Sequence, residues 1–134
     1  MLMPDFSKYS LALLEKNELI YSSRGKGLSP LFDCLQKYKG KSRLILHDKV
    51  IGLAAAKLIV YSGIIAEVVT TIASAPAKKY LENNSIVIHA HDVAVNIMTK
   101  DRKAVCPGEI IAIHTESPDD FICKIKTMLN IQDD

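Results

Sequence analysis

Two stretches of the sequence place reactive residue types at predicted helix starts. Asp48, with Lys49 beside it, follows the apolar run 43–47 and precedes a long apolar helix. Cys106 and Glu109 belong to a second helix start, Cys-Pro-Gly-Glu. The unpaired amides of a helix start favour anions and thiolates, so Cys106 is a candidate nucleophile or redox thiol. Glu109 lies where it can reach back to the Cys106 amide, and a plain helix cap also explains Asp48.

A third helix start follows a glycine-rich turn. Arg24, Gly25, Lys26 and Gly27 precede Ser29-Pro30, where a serine N-cap and a first-turn proline indicate a helix. Two glycines and two cations suit an anion such as phosphate, while a surface turn is the alternative. The spacing matches neither a Walker loop nor a dinucleotide fingerprint.

The remaining metal-ligating residue types form no recognisable site. His89 and His91 lie two apart on a predicted strand and face one side, but no third ligand stands at a telling distance. Cys34 and Cys123 are predicted to pack on apolar helix faces in the core. The wide spacing of the three cysteines implies neither a disulfide framework nor a zinc finger. No metal and no cofactor is predicted.

The elements that position these residues alternate along the chain. The pattern predicts a hairpin turning at Lys16-Asn17, strands over 43–47, 66–73 and 85–90, and helices over 29–38, 48–61, 75–82, 92–98, 107–114 and 118–129. Strand–helix alternation places neighbouring strands parallel, with helices on both faces. The sequence therefore predicts one α/β domain over residues 1–134, a three-layer α/β/α sandwich around a mixed five-stranded sheet.

Composition limits the class of protein and of partner. The 134 residues are 49% apolar and 24% charged, which is typical of a globular protein with a core. The longest apolar stretch, Val50–Val69, is interrupted by charged residues and cannot span a bilayer, and no signal peptide is visible. The net charge is +2 and the basic stretches are short. We therefore expect a cytoplasmic protein with neither a nucleic-acid nor a membrane partner.

Four motifs together resemble a known family over about residues 10–129. They are Arg24-Gly-x-Gly-Leu-x-Pro-Leu, Asp48-Lys-Val-x-Gly-x-Ala-Ala, Tyr61-x-Gly and Cys106-Pro-x-Glu. With the order of the elements, they resemble a small uncharacterised prokaryotic family, a domain of unknown function with a cytidine deaminase-like fold. The resemblance implies that fold for this chain, but the fold does not give the reaction.

The resemblance also implies that deaminase chemistry is lost. Zinc deaminases carry H-x-E and P-C-x-x-C, with His and two Cys on zinc and Glu as the proton shuttle. A proposed alignment places Asp48 at the His position, Val50 at the Glu position, and Cys106 and Glu109 at the two Cys positions. Valine cannot transfer a proton. We expect no deaminase activity and no stoichiometric zinc, since two carboxylates and one thiolate form an unusual zinc set.

The leading hypothesis is a binding protein for a small anionic or nucleotide-like ligand. The bottom of the pocket would be formed by Asp48, Lys49, Cys106 and Glu109, and the Arg24–Gly27 turn would lie at its rim. Asp48 would lie within roughly 10 Å of Cys106, which is one helix–helix spacing. One rival hypothesis is an enzyme or redox protein that depends on Cys106. The other is a structural or regulatory subunit with a vestigial pocket, and the apolar composition leaves room for a homo-oligomer interface.

Overall fold

The sheet begins with the predicted hairpin. The computed structural model describes residues 3–25, 27–95 and 107–130. Strands β1 (Leu11–Glu15) and β2 (Glu18–Ser23) pair antiparallel, and Glu15 lies opposite Glu18. The two residues between them, Lys16 and Asn17, have φ values of 51° and 67°. Positive φ at both loop positions is the geometry that matches the twist of a tight hairpin, and asparagine tolerates it.

In the described residues, nine further helices and strands follow the hairpin. They are α1 (Ser29–Lys37), β3 (Leu44–Asp48), β4 (Val50–Ile51), α2 (Leu53–Ser62), β5 (Ile65–Ser74), α3 (Ala75–Asn83), β6 (Val87–Ala94), α4 (Pro107–His114) and α5 (Pro118–Met128). The N-caps of α3 and α5 are serines whose hydroxyls accept a backbone N–H from the first turn. The N-cap of α1 is Leu28 instead of the predicted Ser29, and its side chain accepts no such bond.

The sheet is mixed and, over the described ranges, contains six strands, not the predicted five. Its order is β2-β1-β3-β5-β4, with β6 also paired to β5. β3, β5 and β6 are parallel, as predicted, while β1 is antiparallel to β3. β4 continues the line of β3 along β5, since Leu46 lies opposite Val68 and Val50 opposite Ile72. The additional strand arises because the predicted strand at 43–47 resumes after Lys49.

The prediction that Asp48 starts a helix is wrong. Asp48 is the last residue of β3, and the chain stays extended through Ile51 because β4 pairs with β5. α2 starts at Leu53, with the extended Gly52 as its N-cap. Pairing with a neighbouring strand thus takes precedence over the local capping signal of an aspartate before an apolar run.

The short helix predicted over 92–98 is also wrong where it can be compared. Residues 92–94 belong to β6 and continue its ladder with β5, in which Asp92 lies opposite Ile72 and Ala94 opposite Ser74. Residues 96–98 lie outside the described residues. The ladder explains the difference, because ten residues of β5 offer β6 a longer template than its own alternating apolar pattern indicates.

The main core lies between the sheet and its helices. α2 is central and contacts α1, α3 and α4, while α4 also contacts α5. Cys34 is buried in this core as predicted, but Cys123 is exposed, because α5 turns Phe121 and Ile125 inward instead. The core takes side chains from strands and helices alike, including Leu13, Leu31, Leu46, Ile59, Val68, Leu81, Phe121 and Ile125.

A second set of buried side chains lies on the other side of the strands. Ala12 and Leu14 alternate with the core residues Leu11 and Leu13 and are themselves buried. The expectation that helices cover both faces of the sheet stays a prediction. Within the described ranges, no helix has the length and apolar character needed to cross a bilayer.

The hairpin turn generates a stability prediction. Replacing Asn17 by glycine should raise the free energy of unfolding by about 0.5 kcal/mol, because glycine adopts φ of +67° without strain. The matched control is Asn83→Gly in the last turn of α3, where a helical backbone should make glycine destabilising. Urea unfolding of both variants measures the difference. Equal signs for the two changes would contradict the turn assignment.

Candidate functional site: the carboxyl-terminal edge of the sheet

The predicted site residues that can be compared cluster at one edge of the sheet. β3 and β5 end at this edge, where α2 and α3 begin. Because β1 is antiparallel to β3 and β2 is antiparallel to β1, the start of β1 and the end of β2 also lie here. Ligands of open α/β sheets bind outside the carboxyl ends of the strands. The edge therefore brings Asp48 and Lys49 close to the turn that follows Ser23.

Asp48 is a half-buried carboxyl group at the end of β3. Burial raises its pKa to about 8, although hydrogen bonds from the backbone amides of Val50 and Lys49 partly oppose the rise. At neutral pH the group is therefore mostly protonated, and it can donate a hydrogen bond as well as accept one. This differs from the charged helix cap that the sequence indicates.

Cys34 of α1 lies near Asp48 but is not an activated thiol. The side chain is fully buried in the core. Burial, with a smaller contribution from negative charge on Asp48, raises the pKa of the Cys34 thiol to about 12, although the charge of Lys37 opposes the rise. A thiol in this state is neither a nucleophile nor a metal ligand at neutral pH. Its role is to fill space between α1 and the sheet.

The backbone around Lys49 connects three strands at this edge. The Lys49 amide donates to the Ser10 carbonyl at 3.0 Å, and the Thr70 hydroxyl donates to the Lys49 carbonyl at 3.1 Å. The Ser10 hydroxyl donates in turn to the Gly25 carbonyl at 2.6 Å. These bonds fix the backbone of β1, β3 and β5 while the Lys49 side chain stays exposed. Lys49 can therefore offer its ammonium group to a ligand.

The glycine-rich turn lies beside this connection. Arg24 is exposed, and its Nε donates to the Lys8 carbonyl at 3.0 Å. A Cβ at Gly25 would come within 2.7 Å of the Pro30 ring, so only glycine fits there without a shift. Gly27 has a φ of +76°, a conformation that also favours glycine. Lys26 lies outside the described residues.

Glu109 binds the start of α2, an arrangement that the sequence does not predict. Its two carboxylate oxygens each accept a backbone N–H at 2.8 Å, one from Leu53 and one from Ala54. The residue is 3% exposed. The sequence predicted a bond to the Cys106 amide, and Cys106 lies outside the described residues. A Cβ at Gly52 would overlap the Glu109 carboxylate, which explains the glycine there.

Lys57 makes the complementary contact at the other end of α4. Its Nζ donates to the carbonyls of Ala112 at 2.6 Å and Thr115 at 2.8 Å, and it lies 5.5 Å from the centre of the Phe121 ring. Burial lowers the pKa of Lys57, whereas the charge of Glu116 raises it. A lysine within an otherwise apolar helix is the one sequence signal that could have indicated this buried contact.

Other predicted site residues lie elsewhere or cannot be compared. His89 and His91 are exposed on β6, where they contact the carboxylates of Glu67 and Asp92 respectively. Among the residues that the structure describes, no group of three His, Cys, Asp or Glu side chains could hold a metal ion. The expected approach of Asp48 to Cys106 stays a prediction.

The arrangement of elements and the sequence can now be compared with known proteins. A profile of a domain of unknown function, TM1506 (DUF1893), matches residues 5–129. The chain belongs to the DUF1893 family. A DUF1893 family protein (TM1506) from Thermotoga maritima, with a crystal structure at 2.70 Å resolution, is similar to it in structure, with a TM-score of 0.81 and 20% sequence identity. The similarity covers 92% of this chain and 82% of that one.

Family membership confirms the resemblance to an uncharacterised domain. At 20% identity, the match to the Thermotoga maritima protein establishes a shared fold and nothing about a ligand. No curated protein sequence matches the chain. The function of this DUF1893 protein must therefore be argued from its own residues.

The Glu109 contact generates a stability prediction. Glu109→Ala leaves two buried amides of α2 without their acceptor, and we expect the free energy of unfolding to fall by about 3 kcal/mol. Glu109→Gln keeps one acceptor oxygen and should cost about half as much. Glu18→Gln, at an exposed position of β2, is the control. Gly52→Ala should be destabilising in the natural sequence and much less so beside Glu109→Ala, and additive effects in urea unfolding would contradict the direct contact.

The raised pKa of Asp48 generates a pH prediction. The folded state binds a proton that the unfolded state releases near pH 4, so stability should fall as pH rises from about 4 to about 8. Asp48→Asn removes this loss. Its stability relative to the natural sequence should increase across that window, by at most about 1.4 kcal/mol per pH unit. Asp33→Asn, at an exposed position of α1, is the control, and a pH-independent difference for Asp48→Asn would contradict the assignment.

Proposed function

We propose that this DUF1893 protein binds a small anionic or nucleotide-like ligand at the carboxyl-terminal edge of its sheet, without deaminase chemistry. The observation that carries the proposal is the position of Asp48, a half-buried carboxyl group at the end of β3 beside the exposed Lys49. Its raised pKa keeps the half-buried carboxyl neutral at pH 7 and able to donate a hydrogen bond at a strand end. A neutral carboxyl does not repel an anion, whereas an ionised one would.

The charges around Asp48 support an anionic ligand. Lys49 and Arg24 present exposed cationic side chains near this edge. The first turn of α1 has no side-chain cap, so its amides are not satisfied in that way. Cations and helix amides together favour phosphate or carboxylate groups. A nucleotide would also offer base carbonyls and ring nitrogens as acceptors for Asp48.

The start of α2 is an unsuitable place for this ligand. Both of its first amides already bind Glu109, and the Glu109 carboxylate would repel a second anion. We therefore place the ligand at Asp48, Lys49, Arg24 and the Gly25–Gly27 turn. Glu109 has a structural role in this proposal, and Cys106 stays a candidate contact.

The proposal includes the layers of the fold. We infer a cytidine deaminase-like, three-layer arrangement for the whole chain. The strand order and the parallel β3, β5 and β6 support it. Burial of Ala12, Leu14 and Val69, which lie outside the main core cluster, supports a further layer on that face.

The loss of deaminase chemistry follows from the residues at the edge. Val50 belongs to β4 and carries no acid. Glu109 is the carboxylate that reaches the start of α2, and its two oxygens are held by hydrogen bonds from Leu53 and Ala54. A carboxylate fixed in this way cannot move protons between water and a nucleobase without breaking its hydrogen bonds to the first turn of α2.

A titration tests the proposed ligand class. We expect cytidine and adenosine monophosphates to shift the backbone NMR signals of residues around Asp48 at pH 6.5, with a Kd of about 1 mM or below, and inorganic phosphate to bind more weakly. Asp48→Ala should weaken binding about tenfold, the loss of one buried hydrogen bond, and Arg24→Ala a few-fold. Binding should also weaken above pH 8, where Asp48 ionises.

Controls separate this proposal from its rivals. Glu116→Gln, an exposed change on a loop, should leave the titration unchanged. The same samples should release no ammonia from cytidine or adenosine. Absence of any shift at millimolar nucleotide would reject the proposal and favour a structural or regulatory subunit whose pocket Glu109 fills. Ammonia release abolished by a chelator would instead revive zinc chemistry.

A further inference from the structure

The edge strand β6 has no partner on its outer side among the described residues. It pairs with β5 over Glu67 to Ser74 in one unshifted register. Such an edge presents unpaired backbone N–H and C=O groups to solvent. Natural proteins protect such edges with charged side chains, above all lysine, and with proline, bulges or very short strands. β6 has eight residues and contains no lysine, proline or bulge, and Asp92 is its one acidic side chain.

One face of β6 is apolar and exposed although the strand lies in a folded sheet. Val87 is 54% exposed and Val93 is 51% exposed, and both lie on the face that also carries His89 and His91. Val95, just beyond the strand, continues this row and is 80% exposed. The alternate residues Ile88 and Ala90 pack against the core. The exposed row therefore needs a separate explanation from the core.

The row is close to symmetric about His91. Antiparallel pairing of β6 with a second β6, centred on this residue, would place Val87 opposite Val95 and His89 opposite Val93. Asp92, the one acidic side chain of this strand, would lie opposite Ala90. Two like charges never meet directly, which is the condition for self-pairing of an edge.

Helix α3 supports the same symmetry axis. α3 contacts both β5 and β6. At a spacing of about 4.8 Å between strands, the helix axes of α3 in the two copies would lie about 10 Å apart. That is the distance at which helices pack. Ser74, which directly precedes α3, lies opposite Ala94 of β6. The rise is about 3.3 Å per residue in a strand and about 1.5 Å in a helix, so His91, three residues before Ala94, lies beside about residue 81 of α3.

The charges on α3 are then complementary. Its exposed positions include Lys79 and Glu82, and the Glu82 carboxylate also lies 3.7 Å from the ammonium group of Lys78 in the same helix. A two-fold axis near residue 81 brings Lys79 of one copy toward Glu82 of the other, twice. An axis through Ala90, the other symmetric centre of the row, would instead pass near Asn84 and bring the two Glu82 side chains together. Charge complementarity therefore favours the axis at His91.

We propose that the outer edge of β6 is a homodimer interface, in which two copies pair antiparallel about His91 and form one continuous sheet. A C2 interface of this kind uses the same patch on both subunits. The eight residues of β6 and nine of α3 fall slightly below the roughly 20–30 residues a side of a standard interface. The dimer should therefore be of micromolar affinity.

Sedimentation over a concentration series tests the interface. The natural chain should dimerise with a micromolar Kd, and Val93→Lys or Val87→Lys should raise that Kd at least tenfold, because each change acts twice. Leu19→Lys is the matched control, since Leu19 is 51% exposed on the opposite edge strand β2 and should leave dimerisation unchanged. Far-UV circular dichroism checks the folding of each variant. A monomer at 200 µM would overturn the proposal, and so would a dimer broken by Leu19→Lys but not by the β6 changes.

Oxidative cross-linking tests the register. In a background carrying Cys106→Ser and Cys123→Ser, His91→Cys places one thiol directly opposite its symmetry mate and should give a covalent dimer. His89→Cys is the control, because its two copies would stand four residues apart, about 13 Å, beyond disulfide reach. Equal cross-linking at both positions, or none at His91, would overturn the proposed pairing.

Discussion

The mutual capping of α2 and α4 determines how the site edge is built. Glu109 satisfies the amides that open α2, and Lys57 satisfies carbonyls at the end of α4. Each charge lies at the helix pole that favours it, so the two contacts reinforce the packing of the pair. Removing either charge would leave buried polar groups unpaired, which costs more than the contact contributes when intact. The start of α4 is therefore held against the start of α2.

That constraint also limits the chemistry of the edge. A helix start is an anion site only while its amides are available, and Glu109 uses the first two of α2. The same carboxylate explains Gly52, where any side chain would overlap it. In Cys34, burial prevents thiolate chemistry. Asp48 at this edge is half-buried and, in its neutral form, can both donate and accept hydrogen bonds, which suits it to binding more than to proton abstraction.

Local signals in the sequence predicted much of the fold. Lys16-Asn17 marked the hairpin, and Ser-Pro or Ala-Pro pairs marked the starts of α1, α3 and α5, because caps and turns depend on neighbouring residues. The helix start assigned to Asp48 failed because a ladder with β5, formed by residues more than twenty positions away, kept the chain extended. The partner of Glu109 was missed for the same reason, since Leu53 lies 56 positions earlier and no spacing rule links them.

The carboxyl-terminal edge of the sheet and its outer strand β6 differ in how they are held in place. The proposed site lies where β1, β3 and β5 are connected by hydrogen bonds to the backbone of Lys49, so ligand contacts there would rest on a rigid frame. Within the part of the chain that the structure describes, the outer strand β6 pairs with β5 alone and packs against α3. Pairing of β6 with a second copy would supply a neighbour on its other side and would also stabilise β5, in which the Thr70 hydroxyl donates to the Lys49 carbonyl. Dimerisation and ligand binding would in that case be linked through β5, because anything that orders this strand favours both.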